Sequence, residues 1–169
     1  MAFALTIRNR QKTRVLNARL LRRIMRALLE EMLQLANADL GLLLVAAPEM
    51  TRLNETFLRH AGSTDVITFD YREAAEVAPS SRGLRPAGAV ELALHGEIIV
   101  CVDEAILQAR RFRTSWPVEL VRYLVHGVLH LCGFDDQTPA ARLRMKREEN
   151  RLLRRLAGRF PLSRLARSR

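Results

Sequence analysis

One segment of the sequence limits the possible folds of this chain more than any other segment does. It is the stretch 126–136, HGVLHLCGFDD. Its histidines, His126 and His130, are four residues apart, so on an α-helix they lie on one face and can reach the same metal ion. Gly133 is well placed to end that helix in a left-handed conformation. The chain can then turn back and bring Asp136 to face the histidines. The sequence therefore predicts a helix, a glycine turn and a metal site with three ligands.

The ligand set indicates which ion the site takes. Three protein ligands with one open position are typical of catalytic rather than structural zinc, and a carboxylate oxygen binds zinc at nearly the distance of an imidazole nitrogen. We therefore expect one Zn²⁺ per chain, with Mn²⁺ or another divalent ion as an alternative because oxygen is a hard ligand. Asp135 and Cys132 are competing candidates for the third position. The opposing interpretation is a lost site, in which the histidines serve only packing or the surface.

The same stretch resembles the signature of the YbeY family of ribosome-associated endoribonucleases, H-G-x-L-H-L-x-G-aromatic-D-H. It matches at every position except the last, where Asp136 replaces the family's third zinc histidine. In that family the aspartate at the position of Asp135 is not a metal ligand. The resemblance thus implies that Asp135 supports the turn or a ligand histidine through a hydrogen bond.

The resemblance covers about residues 40–153. Leu53-Asn54 and the run 64–69, TDVITF, are similar to the family's L-N and T-D-V-L-S-F elements, and the run 95–99, HGEII, matches its L-G-D-I strand more loosely. The family's arginine falls on Leu58, and Arg59 lies one position later. We expect Arg59 to act with His126 and His130 as a catalytic residue that holds a phosphate or stabilises transition-state charge. A solvated arginine at a helix end is the alternative.

Hydrophobic periodicity predicts an α/β (α+β) fold, with a small mixed sheet of about four strands, about five helices and a zincin-like metal helix. The expected strands are 3–7, 40–46, 66–69 and 97–101. The expected helices are 16–32, 48–59, 103–112, 115–132 and 139–156, with Asp103 capping the third. Composition predicts a loop at 78–86 and a basic tail prone to disorder at about 158–169.

Length and composition favour one domain over residues 1–169, since 49% of the chain is hydrophobic and 27% is charged. No apolar run is long enough to span a bilayer, and the first residues lack a signal-peptide pattern. We therefore expect a cytoplasmic protein without a membrane partner. Its two cysteines are expected to be reduced, buried thiols.

Charge is concentrated at the two ends of the chain. Residues 1–29 carry eight basic and no acidic side chains, and residues 151–169 carry seven and none, so the middle is acidic although the net charge is +10. Of the 28 basic residues, 26 are arginines, which bind phosphate bidentately and stack on bases. RNA is therefore a more natural partner than a peptide. We expect no DNA partner. A solvated surface and a mutational bias toward arginine are the alternatives.

The residue after the first histidine separates two kinds of hydrolase. Zinc peptidases have H-E-x-x-H, in which the glutamate is the general base, whereas this chain has Gly127 at that position. Cleavage of RNA is therefore favoured over peptide hydrolysis. The YbeY resemblance implies a single-strand-specific endoribonuclease that matures the 3′ end of small-subunit (16S) rRNA, acts in ribosome quality control and contacts ribosomal proteins. The alternative is a non-catalytic RNA- or ribosome-binding factor with an attenuated metal site.

Overall fold

A single mixed sheet of four strands organises the protein. The computed structural model describes residues 3–72 and 93–167. Within these ranges the strands lie in the order β1-β2-β4-β3. Strand β4 runs parallel to β2 and antiparallel to β3, and β1 runs parallel to β2. The bounds are β1 Phe3–Asn9, β2 Asn37–Val45, β3 Val66–Asp70 and β4 Ala93–Cys101. The predicted mixed sheet is confirmed.

Five α-helices surround this sheet in the described part of the chain, as the periodicity predicted. They are α1 Ala18–Arg26, α2 Ala47–Leu53, α3 Val102–Phe112, α4 Trp116–Leu131 and α5 Pro139–Arg159. Two of them continue as π-helical turns, α1 through Ala27–Met32 and α2 through Asn54–Leu58. The protein is thus a single α/β domain.

Helix α4 lies at the centre of the core, against the face of the sheet that carries Leu42 and Ile98. Gly127 allows this close packing. A Cβ at that position would lie only 2.9 Å from Ile98 Cγ2 and 3.3 Å from Val66 Cγ2. Because position 127 faces the sheet, the neighbouring His126 is directed away from the centre of the sheet toward α5. A smaller apolar cluster fills the other face beneath α2, with Met50 and Ile67 at its centre.

Asp103 does not cap its own helix, so that prediction is wrong. Helix α3 begins at Val102, and Asp103 therefore lies inside its first turn. Its Oδ2 instead accepts a hydrogen bond of 2.7 Å from the backbone N–H of Ala47, at the first residue of α2. The carboxylate thereby fastens the start of α2 to the start of α3.

The predicted disordered tail is also wrong for every residue from 158 to 167. Helix α5 continues to Arg159, and a short 3-10 helix follows at Leu162–Leu165. Phe160, Leu162 and Leu165 are buried in the main core. These three apolar side chains anchor a segment whose arginine content alone had suggested disorder.

Two further expectations concern loops and membranes. The predicted loop at 78–86 lies outside the described residues. Within residues 3–72 and 93–167, no helix is both long and apolar enough to cross a membrane.

Candidate metal centre

The two histidines sit on the last two turns of α4, where the helix fixes their separation. The Nε2 atoms of His126 and His130 are 3.0 Å apart, and their rings meet edge to face. The predicted spacing of one helical turn is therefore realised as two imidazoles directed at one point.

A glycine turn brings the third side chain back to the histidines. Gly133 has φ of 91°, and its N–H donates to the carbonyl of His130, while the N–H of Phe134 donates to the carbonyl of Leu129. This pair of bonds is a Schellman cap, which ends α4 and reverses the chain. The Oδ2 atom of Asp136 then lies 3.9 Å from His126 Nε2 and 3.8 Å from His130 Nε2.

Neighbouring groups hold the turn that carries Asp136. The Nε–H of Arg142, on α5, donates to the backbone carbonyl of Asp136 at 3.1 Å. Asp135 Oδ1 accepts from the N–H of Gln137 at 2.9 Å. Asp135 thus supports the turn, as the resemblance implied. The side chains of the described residues that converge as a candidate metal site are His126, His130 and Asp136, without Asp135 or Cys132.

The hydrogen bonds of the two imidazoles decide which nitrogens face the site. His126 Nδ1 lies 3.2 Å from Glu149 Oε2, and His130 Nδ1 lies 3.1 Å from the carbonyl oxygen of Phe134. Both partners are acceptors, so each Nδ1 carries the hydrogen and each Nε2 presents a lone pair. Three acceptor atoms, two imidazole nitrogens and one carboxylate oxygen, therefore converge without a donor between them. A cation relieves the repulsion that this arrangement creates.

The spacing of the three acceptors fits a divalent ion. A point equidistant from the three atoms, which are 3.0, 3.8 and 3.9 Å apart, lies about 2.1 Å from each, within the range of Zn–N and Zn–O bonds. The ligand side chains are between 22 and 41% exposed, so one side of the site is open to solvent. The residues present thus fit zinc or a similar ion with an open coordination position.

Glu149 orients the ring of His126 by contacting the nitrogen that faces away from the candidate metal site. It is only 3% exposed, and besides His126 it accepts hydrogen bonds of 2.8 Å from Arg122 and from Lys146. Burial raises the pKa of Glu149, but the hydrogen bonds from His126, Lys146 and Arg122 outweigh it and lower that pKa to about 2. The ionised carboxylate fixes the tautomer of His126 and makes its Nε2 a better ligand.

Sequence reasoning missed Glu149, although a signal for it was present. The buried face of α5 repeats at Ala141, Met145, Leu152 and Leu156, and Glu149 falls on that face. An acidic residue in register with buried apolar positions requires a partner, because an unpaired buried charge is costly. The periodicity indicates this need but does not identify His126, Arg122 and Lys146 as the partners.

Arg59 lies at the end of the π-helical turn that follows α2, with φ of 55° and an exposed side chain. It forms no hydrogen bond or ion pair with His126, His130, Asp136 or any other side chain of the described residues. The preceding Asn54 is buried and donates to the carbonyls of His60 and Gly62, which shapes the loop around Arg59. Asn54 thus fixes the carbonyls on the C-terminal side of this arginine, and within residues 3–72 and 93–167 its guanidinium group has no partner.

The chain has clear relatives. A family model described as Endoribonuclease YbeY matches residues 6–157. Proteins named Endoribonuclease YbeY include one from Salinibacter ruber, 40% identical over 114 residues, or 68% of each chain. Another, from Chlorobium phaeovibrioides, is 38% identical over 62% of this chain and 60% of the relative. A third, from Myxococcus xanthus, is 35% identical over 80% of this chain and 42% of the relative.

A solved structure shows the same fold. The solution structure of a Thermotoga maritima protein superposes with a TM-score of 0.60 at 23% identity, covering 92% of this chain and 90% of that one. This likeness shows that the two proteins share a fold. The match to the family model over residues 6–157 and the 40% identity to the Salinibacter relative show that the chain belongs to the YbeY endoribonuclease family.

Proposed function

We propose that this protein is a metal-dependent endoribonuclease that cleaves single-stranded RNA. The observation that carries the proposal is the convergence of three acceptor atoms, from His126, His130 and Asp136, at the spacing of a divalent ion's ligands. The family to which the chain belongs supports RNA as the substrate.

The three side chains would hold one Zn²⁺, or Mn²⁺ in view of the carboxylate ligand. A divalent ion in this position supplies positive charge that polarises the scissile phosphate or its attacking oxygen. The chain's own contribution is orientation. Glu149 and the carbonyl of Phe134 lock both imidazoles, and Arg142 holds the backbone of Asp136.

The arrangement favours phosphodiester over peptide cleavage. The position that carries the general base of H-E-x-x-H peptidases is Gly127, which faces the sheet and has no room for a side chain. Glu149 is buried and already bonded to His126, Arg122 and Lys146, so it positions a ligand and does not act on substrate. An RNA substrate carries its own nucleophile, the 2′-hydroxyl, whose proton would pass to water beside a bound cation, so a glutamate at position 127 is not required.

The exposed guanidinium group of Arg59 is suited to grip the phosphate backbone near the scissile bond. The family resemblance supports the finer assignment: maturation of the 3′ end of 16S rRNA and ribosome quality control, in the cytoplasm, with the small ribosomal subunit and ribosomal proteins as partners.

Cleavage of a labelled single-stranded RNA by the purified chain tests the proposal. We expect cleavage that stops on addition of a chelator and returns with Zn²⁺ or Mn²⁺. His126→Ala should abolish cleavage, whereas His95→Ala, which removes a half-exposed histidine from strand β4, should leave it unchanged. Activity that survives in His126→Ala would overturn the assignment.

A non-catalytic RNA-binding factor is distinguished by a second variant. If Asp136→His gains both zinc and nuclease activity that the parent lacks, the natural site is attenuated and the chain serves as a binding factor. Equal activity in the parent and in Asp136→His supports aspartate as a working ligand.

A further inference from the structure

A second basic surface lies away from the metal centre, where the start of α1 meets the C-terminal segment. It is a groove of about 890 Å³ lined by five arginines and Phe160. The arginines are Arg19, Arg23, Arg159, Arg164 and Arg167. None of the residues that line it is acidic, so the surface of the groove is positively charged.

Two parts of the chain that are distant in sequence build this arginine groove. The N–H of Asn17 donates to the carbonyl of Leu165 at 2.9 Å, and the N–H of Arg167 donates to the carbonyl of Val15 at 3.0 Å. Residues 159–167 form the C-terminal wall of the groove, and two of them, Leu162 and Leu165, are buried in the core. The walls are therefore fixed parts of the fold, and the arginines project from a rigid frame.

The Phe160 ring contacts two of the guanidinium groups and helps to fix their positions. The Cζ atoms of Arg23 and Arg159 lie 5.7 and 5.4 Å from the ring centroid, within the range of cation–π attraction. Arg159 is also paired with Glu31. By contrast, Arg19, Arg23, Arg164 and Arg167 have no acidic partner among the described residues.

The surroundings of the arginine groove favour a polyanion. The groove includes the N-terminal residues of α1, a helix with no acidic residue in its first turn, so the helix dipole adds to the positive charge. Arginine forks match phosphate oxygens bidentately. The C-terminal wall, residues 159–167, lies beyond the part of the chain that the family model matches, which ends at residue 157.

We propose that this arginine groove binds the phosphodiester backbone of the single-stranded RNA that is cleaved at the metal centre. The inference rests on the proposed function. Helix α5 connects the two surfaces, since Glu149 touches His126 and Arg159 lines the groove. The helix rises about 15 Å over the ten residues from Glu149 to Arg159. A stacked strand that advances about 3.4 Å per nucleotide needs about five nucleotides to cover this distance. The groove therefore acts on long RNAs and not on very short ones.

Binding measured without divalent metal separates the groove from catalysis. Fluorescence anisotropy with a labelled 30-nucleotide single-stranded RNA, in excess chelator, reports affinity without cleavage. For the full chain carrying Arg164→Gln and Arg167→Gln we expect affinity about tenfold weaker at 0.1 M salt, and a salt dependence of log K reduced by about 1.4. The matched control, Arg110→Gln with Arg111→Gln, removes two exposed arginines from α3 and should stay within twofold of the parent.

A second double variant shows whether the loss of binding comes from a folding defect in the C-terminal wall. Arg19→Gln with Arg23→Gln alters the opposite wall, on α1, and should weaken binding to a similar extent. If either groove pair binds RNA as tightly as the α3 control, the proposal is overturned. Competition by polyglutamate as strong as that by RNA of equal charge would also overturn it, because the occupant would then be an acidic polypeptide.

Cleavage after metal is restored tests the link between the two sites. Both groove pairs should lose about tenfold in kcat/KM on the 30-nucleotide RNA and almost nothing on a trinucleotide, which is too short to reach the groove from the metal centre. Equal losses on both RNAs would contradict a groove that acts at a distance. If the parent cleaves neither RNA while the groove pairs still lose binding, the nuclease proposal fails and RNA binding by the groove stands.

Discussion

The three candidate ligands are held in two different ways. His126 and His130 project from the buried helix α4, and each has its Nδ1 fixed by a second group, Glu149 or the Phe134 carbonyl. Asp136 comes from a turn, its side chain is 41% exposed, and only its backbone carbonyl is held, by Arg142. The helix supplies ligands whose positions are set before the metal binds, whereas the turn supplies one that can adjust.

This difference makes the turn better suited than the helix to a change of ligand type. A ligand on a turn can shorten or lengthen its reach by a small backbone movement, so an aspartate can serve at position 136, where the resemblance to the family implies a histidine. A ligand on α4 has no such freedom, because Gly127 presses the helix against Ile98 and Val66. We therefore expect substitutions on the helix to have larger effects than substitutions in the turn.

The largest effect is expected from removing a helical ligand. His126→Ala and His130→Ala should each weaken zinc binding by more than about 100-fold, because neither remaining imidazole nor carboxylate can move to replace the missing nitrogen. Competition with a chromophoric chelator measures the affinity, and His95→Ala is the control. Near-parental affinity in either variant would contradict a site built on the helix.

Exchanging ligand types between the two regions sharpens the comparison. Asp136→His should keep the site and bind zinc about tenfold more tightly than the parent, with less preference for manganese, since imidazole is the softer ligand. His126→Asp should lose zinc as fully as His126→Ala, because a shorter side chain on a fixed helix cannot reach the ion. Equal tolerance at both positions would remove the distinction between helix and turn.

The next largest effect on metal binding is expected at Glu149, the buried carboxylate that contacts His126. Glu149→Gln is expected to weaken metal binding by about tenfold, because the neutral amide no longer fixes the His126 tautomer as strongly. It should also lower the free energy of unfolding by about 1–3 kcal/mol, since Lys146 loses its carboxylate partner and Arg122, which still pairs with Glu119, loses one of two. Glu148→Gln is the matched control, because Glu148 pairs with Arg151 away from the histidines. Denaturant unfolding and chelator competition that cannot tell the two variants apart would count against this role.

The smallest effect is expected in the turn itself. Gly133→Ala places a Cβ at φ of 91°, where it meets no other atom within 4 Å but strains the backbone by about 1–2 kcal/mol. Thermal unfolding should report that loss, and metal affinity should fall only a few-fold because the turn readjusts. A loss of affinity as large as that of His130→Ala would show that the turn is as rigid as the helix.

Local patterns in the sequence predicted most of the fold and the convergence of the three candidate ligands. The spacing of His126 and His130, the left-handed Gly133 and the return of Asp136 follow from helix and turn geometry within eleven residues. The strands and helices follow from apolar periodicity, and the structure mainly extends their ends. These features depend on neighbours in sequence, which is why a single sequence reveals them.

Features that depend on tertiary contacts were harder to predict. Asp103 serves α2 instead of its own helix, and Glu149 reaches His126 from α5. The arginine-rich C-terminal segment is ordered because Phe160, Leu162 and Leu165 find space in a core that the sequence does not display. The role of Arg59 likewise depends on a substrate and stays a prediction.

Metal content tests the central claim most directly. Mass spectrometry of protein purified without added metal, comparing the parent with Asp136→Ala, counts the ions that each chain retains. We expect about one zinc ion per parent chain and much less in the variant, which would establish a site made of two histidines and one aspartate. A parent that carries no divalent ion and takes up none when zinc or manganese is supplied would contradict it.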